Sequence, residues 1–417
     1  MRTISFSKEN NMNAVGLIVE YNPFHNGHAF HLNASKEAAG AEVVIAVMSG
    51  NFLQRGEPAL VSKWYRTKMA LLNGVDIVFE LPYMFAVQKA EIFASGAISI
   101  LNAAGCDSVC FGSESGELSS FIQTIDFMNE QKQQLEENIH RFIVTGVSFP
   151  KAVSLAYHQL ADSNSYLDLA KPNNILGIEY IKAIRNQKSS LKPLTVPRKN
   201  ADYHDEHFAS ETIASATSIR KAIFSKADEQ NSISQYVPAP TNQLLLEYLE
   251  KYQVFHQWEN YWDYLKFRLL TSSPNELRDI YEVEEGLEHR LLAAALKSGS
   301  FHEFMERIKT KRYTWTRLQR LCVHILTNTK KGQMAGPSDQ ATYLRLLGMT
   351  NKGKEYLNKR KKDFSLPLVS KLSSYKEKEI QLDLTAARVY SLGIANHSAK
   401  ELMNQEFTQQ PIWIKKG

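Results

Sequence analysis

A near-continuous apolar run that stops abruptly at a turn constrains this chain more than any other stretch. Val15, Leu17, Ile18 and Val19 read as a strand buried on both faces of a parallel sheet. Asn22-Pro23 closes the strand, since proline donates nothing to a ladder and biases its predecessor to extended backbone. From Asn26 onward Ala29, Leu32 and Ala38 fall near helical spacing. His25 and His28 therefore flank Gly27 at a strand-to-helix turn. A glycine there permits close approach of a ligand, and the helix start offers unpaired N–H groups to a phosphate. Two imidazoles beside such an anion hole can stabilise charge on a nucleotide phosphoryl group. The competing reading is that they simply cap the helix.

The rest of the first half repeats this alternation. Val43–Met48, Asp76–Leu81, Ser108–Phe111 and Leu194–Val196 are further expected strands, with helices expected after Ser62, from Glu91 to Ala104 and from about Asn174. Strand–helix repetition predicts an α/β fold, a doubly wound, mostly parallel sheet. Ligands bind at the carboxyl ends of such strands. That makes Ser49, Asn51 and Arg55, in the polar loop Ser49–Glu57, candidate site residues, along with the Gly112 turn after the fourth strand. Ser62 and either Asn173 or Asn174 are expected helix caps.

The chain has 417 residues, enough for two or three domains, and 43% hydrophobic content is ordinary for a globular protein. A net charge of +5 permits a polyanionic partner without requiring one. Three cysteines, Cys106, Cys110 and Cys322, form neither a disulfide framework nor a paired zinc motif, which fits a cytoplasmic protein. No apolar run is long enough for a membrane span, so no membrane partner is expected. Asp202–Phe208 mixes carboxylates and histidines without the spacing of a known metal site, and no protein-held metal is assigned. Gly348–Glu355 mimics a phosphate loop but ends in Glu355 where Ser or Thr is required, and it reads as following a helix.

His25-Asn26-Gly27-His28 resembles the HxGH signature of a nucleotidyltransferase superfamily shared with class I aminoacyl-tRNA synthetases. Ile213-Ala-Ser-Ala-Thr-Ser-Ile-Arg220 resembles the ISSTxxR element that follows the last strand in those enzymes. The longer string GLIVEYNPFHNGH is similar to one branch, the bacterial tRNA(Met) cytidine acetate ligases, and the similarity runs from Met12 over nearly the whole chain. The resemblance implies activation of acetate with ATP, with Mg²⁺ as the expected counterion, and acetylation of the wobble cytidine of elongator tRNA(Met) to N4-acetylcytidine. It assigns catalysis to His25, Gly27 and His28. It places ATP against Ile18, Val19, Glu20, Tyr21, Asn22, Pro23, Phe24, His25, Asn26, Gly27, His28 and His31, and against Gly112, Asn173, Arg198, Thr217, Ser218 and Arg220.

Residues 1–11 read as a loose extension, 12–230 as the nucleotidyltransferase-like ATP-binding domain, and 231–417 as a mostly α-helical domain entered at Pro238 and Pro240. Within the latter, Arg307–Arg320 is basic and free of acids, with Tyr313 and Trp315 interleaved. Lys309, Lys311, Arg312, Arg317 and Arg320 are candidate RNA-binding residues, because such tracts hold a phosphate backbone while aromatics stack on unpaired bases. Lys352, Lys354, Lys359, Arg360, Lys361 and Lys362 form a second basic cluster. The alternative is a solvated helix face with Tyr313 and Trp315 turned inward. Two functional alternatives stay open: a nucleotidyltransferase making a small dinucleotide-like cofactor, or a non-catalytic RNA-binding protein retaining a nucleotide pocket.

Overall fold

Five apolar runs become five parallel strands: β1 (Ala14–Val19), β2 (Val43–Ser49), β3 (Ile77–Leu81), β4 (Ser108–Ser113) and β5 (Lys192–Pro197). The structure is a computed structural model that describes residues 12–415 apart from 162–166, 199–211, 226–232, 285, 335–339, 373–374 and 376. The expected N-terminal extension and the Asp202–Phe208 tract lie outside the described residues. Strand order is β5-β4-β1-β2-β3, so the chain winds outward from β1 in both directions. The doubly wound sheet read from the sequence is therefore present, with its switch point between β1 and β4.

The unbroken apolar character of these strands has a simple cause: both faces are covered. Val15, Leu17 and Val19 join Val44, Ala46 and Met48 in one core, while Ala14, Val43, Ile45 and Val47 point into another. Each such side chain contributes roughly 1.5–3 kcal/mol on full burial. The first core continues without interruption into Tyr248, Tyr261, Leu318 and Tyr390. Most helices after residue 230 thus pack onto one face of the sheet, while the helix Asn351–Arg360 sends Tyr356 and Leu357 into the core on the other.

The second half is not wholly helical. β6 (Leu344–Thr350) pairs antiparallel with β3, and β7 (Leu368–Val369) and β8 (Ile412–Ile414) both pair parallel with β6, completing an eight-stranded sheet. The boundary near residue 230 marks a change in composition, while the sheet draws on both sides of it. A buried charge disguises β6 in the sequence. Arg345 is 2% exposed and faces Glu80 across the ladder. Beside them Lys63 Nζ reaches Glu80 (2.7 Å) and Glu406 (2.8 Å). Burial works against the Lys63 charge, but Glu406 and Glu80 more than offset it and raise its pKa.

β6 also corrects the setting of the Gly348–Glu355 stretch, which follows a strand. Thr350 caps the helix Asn351–Arg360 by accepting from Gly353 N (3.1 Å) and donates to Asp76 Oδ1 (2.8 Å). A Cβ on Gly353 would lie 2.1 Å from the Asp76 carbonyl oxygen. The turn is packed shut and has no room for a phosphate.

Candidate active site

The cleft opens where β1 and β4 end, at the switch point. It has a volume of about 290 Å³ and is walled by the ends of β1, β4 and β5, the loop after β2, and the starts of the helices Asn26–Ala38, Pro172–Asn186 and Ala216–Phe224. Beyond β1 the backbone turns sharply, with Tyr21 at φ 48°. Arg66, fully buried, holds the turn by donating to the carbonyls of Glu20 (2.7 Å), Ser49 (3.1 Å) and Gly50.

His25 and His28 are both cap and site. His25 is the N-cap of the helix Asn26–Ala38, its Nδ1 accepting from Gly27 N (3.1 Å), while His28 Nδ1 accepts from His25 N (3.3 Å). Nδ1 is the acceptor in each ring, so each neutral imidazole carries its proton on Nε2 and is a donor there. The ring centroids are 3.7 Å apart. A Cβ on Gly27 would sit 2.9 Å from His25 Cε1, so the glycine makes room for the imidazole itself.

Electrostatics fix the charge state. Burial, reinforced by Arg198 and Arg220, pushes His25 down to about 3. Burial, then His25, Arg198 and His31, holds His28 well below the usual histidine value, and burial with Arg198 pushes His31 to about 4. These rings are neutral donors at physiological pH. The positive charge of the cleft comes from guanidiniums: Arg55 in the loop after β2, Arg198 at the end of β5, and Arg220, which bonds Glu57 (3.0 Å) and the Asn22 carbonyl (3.0 Å).

Most of the residues expected to hold ATP line this one cleft. Ile18, Val19, Glu20, Tyr21, Asn22, His25, Gly27, His28 and His31 do so from β1 and the first helix, and Gly112, Asn173, Arg198, Thr217 and Arg220 from the later elements. Four do not. Phe24 is fully buried against the Tyr21 and His28 rings, and Pro23 lies outside the lining. Asn26 faces away: its Nδ2 donates to the carbonyls of Thr212 (2.9 Å) and Gln235 (2.8 Å), tying the two motif regions together. Ser218 is buried in the cap of its helix, bonded to Ser215 Oγ (2.8 Å), and Ser215 takes its place in the wall.

Two expected caps are also replaced. Ser62 makes no side-chain bond to its helix; Asn51 Oδ1 accepts from Lys63 N instead (2.9 Å). Lys171 occupies the cap position of the helix Pro172–Asn186, and the Glu114 carboxylate accepts from Asn174 N (3.0 Å) and Asn173 Nδ2 (2.7 Å). Ser49 donates to Glu20 (3.3 Å), and Arg55 lies in the wall. Sequence reading missed Tyr180 and Leu176, which reach the cleft from inside a helix, and Gln54, which reaches it from the loop after β2. No motif marks them. The described residues contain no group of three or more His, Cys, Asp or Glu that could hold a metal, and no helix among them is long and apolar enough to cross a membrane.

The basic tract divides. Lys309, Lys311 and Arg312 are exposed. Arg317 is half-buried, paired with Glu284 (3.1 Å) and set over the Tyr313 ring at 4.6 Å. Arg320 is buried and paired with Glu282 (3.3 Å), and Tyr313 is 5% exposed, so neither offers a surface to RNA. The helix that carries Arg320, Trp315–Leu326, nevertheless packs against the loop that lines the cleft. A Cβ on Gly56 would lie 2.2 Å from Arg320 N, and Leu53, Gln54, Arg55 and Glu57 on either side of Gly56 line the cleft.

A family model described as HIGH Nucleotidyl Transferase matches residues 12–406. The chain is 49% identical over 405 residues to the tRNA(Met) cytidine acetate ligase of Bacillus subtilis, covering 96% of this chain and 97% of that one. It is 47% identical over 403 residues to the Lysinibacillus sphaericus protein of the same name, covering 96% and 100%. Two crystal structures of Thermotoga maritima TmcAL, each 32% identical, superpose over 97% of this chain and 100% of theirs. The TM-score is 0.89 for the apo form and 0.87 for the form bound with alpha-thio ATP. With its paired imidazoles and three guanidiniums around one switch-point cleft, the chain belongs to the HIGH nucleotidyl transferases and, among them, to the tRNA(Met) cytidine acetate ligases.

Proposed function

We propose that the chain is an ATP-dependent ligase that joins acetate to the N4 amine of the wobble cytidine in elongator tRNA(Met), through an acyl adenylate. The carrying observation is the gathering of His25, His28, Arg198, Arg220 and the helix start at Ala216 around one cleft, a donor set suited to a triphosphate. An acetate oxygen attacks the α-phosphorus and pyrophosphate leaves. The protein needs no nucleophile of its own for this step, because positioning and charge stabilisation carry phosphoryl-type transfer. Nε2–H groups on His25 and His28 stabilise charge gathering on the phosphate oxygens, and Thr217 and Arg220 hold the leaving group. Magnesium enters here as the counterion of the triphosphate substrate.

The RNA comes from the side of Lys309, Lys311 and Arg312, which bind its phosphates, and the loop carrying Gln54 and Arg55 receives the base. Phosphate contacts carry no sequence information. Selection of one cytidine therefore rests on an unpaired base reaching the cleft, which an anticodon loop permits. Incubation with ATP, labelled acetate and bulk tRNA, followed by nucleoside mapping, should place the label on one cytidine of elongator tRNA(Met) in the cytoplasmic pool. Label found only in a small molecule would favour a cofactor-making nucleotidyltransferase, and no label at all a non-catalytic RNA-binding protein.

A further inference from the structure

We propose that Glu20 is the base that takes the proton from the cytidine amine during acyl transfer, an inference that rests on the acyl-adenylate reading above. In that step the N4 lone pair forms a bond to the acetyl carbon. The bond from that carbon to the phosphate oxygen breaks, and its electron pair leaves with AMP. The nitrogen must shed one proton, which passes to Glu20 and then to solvent once the products have gone.

The cleft holds few groups able to accept it. His25 and His28 already use Nδ1 to accept backbone N–H groups, so the nitrogen each has left is a donor. His31 shares Nε2 with Ser35 Oγ (3.4 Å). Glu57 Oε2 is occupied by Arg220 (3.0 Å). Glu20 differs in forming no ion pair with the described residues: the bonds from Gln54 N (2.7 Å) and Ser49 Oγ (3.3 Å) both fall on Oε1, and Oε2 makes no hydrogen bond with the described residues. The side chain is half-buried in the cleft wall.

Its placement matches the route of the acceptor. Gln54 N, which holds Glu20 Oε1, belongs to the loop whose Gly56 packs on the backbone of the helix Trp315–Leu326 at Arg320, and the exposed Lys309, Lys311 and Arg312 lie in the segment that leads into that helix. A base received by that loop comes up against Glu20, which shares the cleft wall with Leu53, Gln54, Arg55 and Glu57. Burial raises the Glu20 pKa, opposed by the Gln54 N–H and by Arg55 and Arg66, which strengthens the carboxylate as an acceptor.

Glu20→Gln keeps an acceptor oxygen for Gln54 N and Ser49 and removes the basicity. Two half-reactions are measured on the full-length protein: acetate-dependent pyrophosphate–ATP exchange, and single-turnover transfer to tRNA. Transfer should fall about 10²- to 10⁴-fold, far more than exchange. In the native protein transfer should rise with pH as Glu20 ionises and then level off. The variant should lose that rise, and Glu20→Asp should recover part of the rate. Equal losses in both half-reactions, or near-normal transfer by Glu20→Gln, would overturn the assignment. Absence of acetate-dependent exchange in the native protein would overturn the acyl-adenylate reading itself, and the proposal for Glu20 with it.

Discussion

Two strand-to-helix turns in this molecule share a local design and differ in everything around it. At the end of β1 the His25 side chain caps Gly27 N; at the end of β6 the Thr350 side chain caps Gly353 N. Each turn contains a glycine at which a Cβ would collide with a neighbour. The first lies at the carboxyl end of parallel strands, beside Arg198 and Arg220, and opens on the cleft. β6 runs antiparallel to β3, so its end lies at the opposite edge of the sheet, where Asp76 fills the space before the turn. A capped glycine turn is thus a phosphate site only where topology leaves it open and charge surrounds it.

Substitutions at the two turns should separate these roles. His28→Ala removes a preorganised donor and should lower acetate-dependent pyrophosphate exchange by about 10²–10³, roughly 2.7–4 kcal/mol of transition-state stabilisation. Its melting temperature should change little. Near-normal exchange by a folded variant would remove His28 from the chemistry. Gly353→Ala should do the reverse. Its Cβ meets a backbone oxygen that cannot swing away, so stability should drop by about 1–3 kcal/mol. ATP affinity of the folded fraction should be retained, and calorimetric titration of ATP checks this.

Acidification distinguishes the turns by their titratable groups. Burial first, and then the arginines, depress His25 to about 3 and His31 to about 4, while burial holds the core residue His256 near 3. A depressed histidine favours folding fully above its unfolded value of 6.5. That contribution is lost as pH falls from 6.5 towards 3–4, at up to about 1.4 kcal/mol per pH unit for each group. Thermal stability should therefore fall below pH 6.5. Bound ATP brings negative charge to His25, His28 and His31 and not to His256, so it should make the decline shallower. An identical slope with and without ATP would place the phosphates elsewhere.

The smallest effect belongs to the exposed cations. Neutralising Lys309, Lys311 and Arg312 should weaken tRNA binding a few-fold per charge and reduce the salt slope by about one for each phosphate left without its cation. Filter binding at several salt concentrations measures this. Arg320→Ala, by contrast, strands the Glu282 carboxylate in a buried site and should cost stability.

The sequence disclosed what local chemistry sets. β1 to β5 were legible because both faces are covered and the runs are apolar throughout, and the His25–His28 turn because its cap and its motif coincide. β6 was hidden by Arg345, whose burial depends on Glu80 and Glu406 from distant segments. Caps failed where a remote side chain was better placed: Asn51 for Ser62, and Glu114 for Asn173 and Asn174. Tyr313 read as a stacking platform but is buried under Arg317. Of the cleft wall, the β1 turn could be read in advance, while Tyr180, Leu176 and Gln54 arrive only through tertiary packing.

The late pairing of β3 bears on how the protein is made. Until Leu344 has left the ribosome, the outer edge of β3 has no partner and its N–H and C=O groups stand ready for any other strand. The core shared with Tyr261, Leu318 and Tyr390 is incomplete at the same moment. A fragment ending near residue 230 would carry every ATP-facing motif, yet it should aggregate during synthesis. Screens for a minimal ATP-binding unit should accordingly retain the chain through β8.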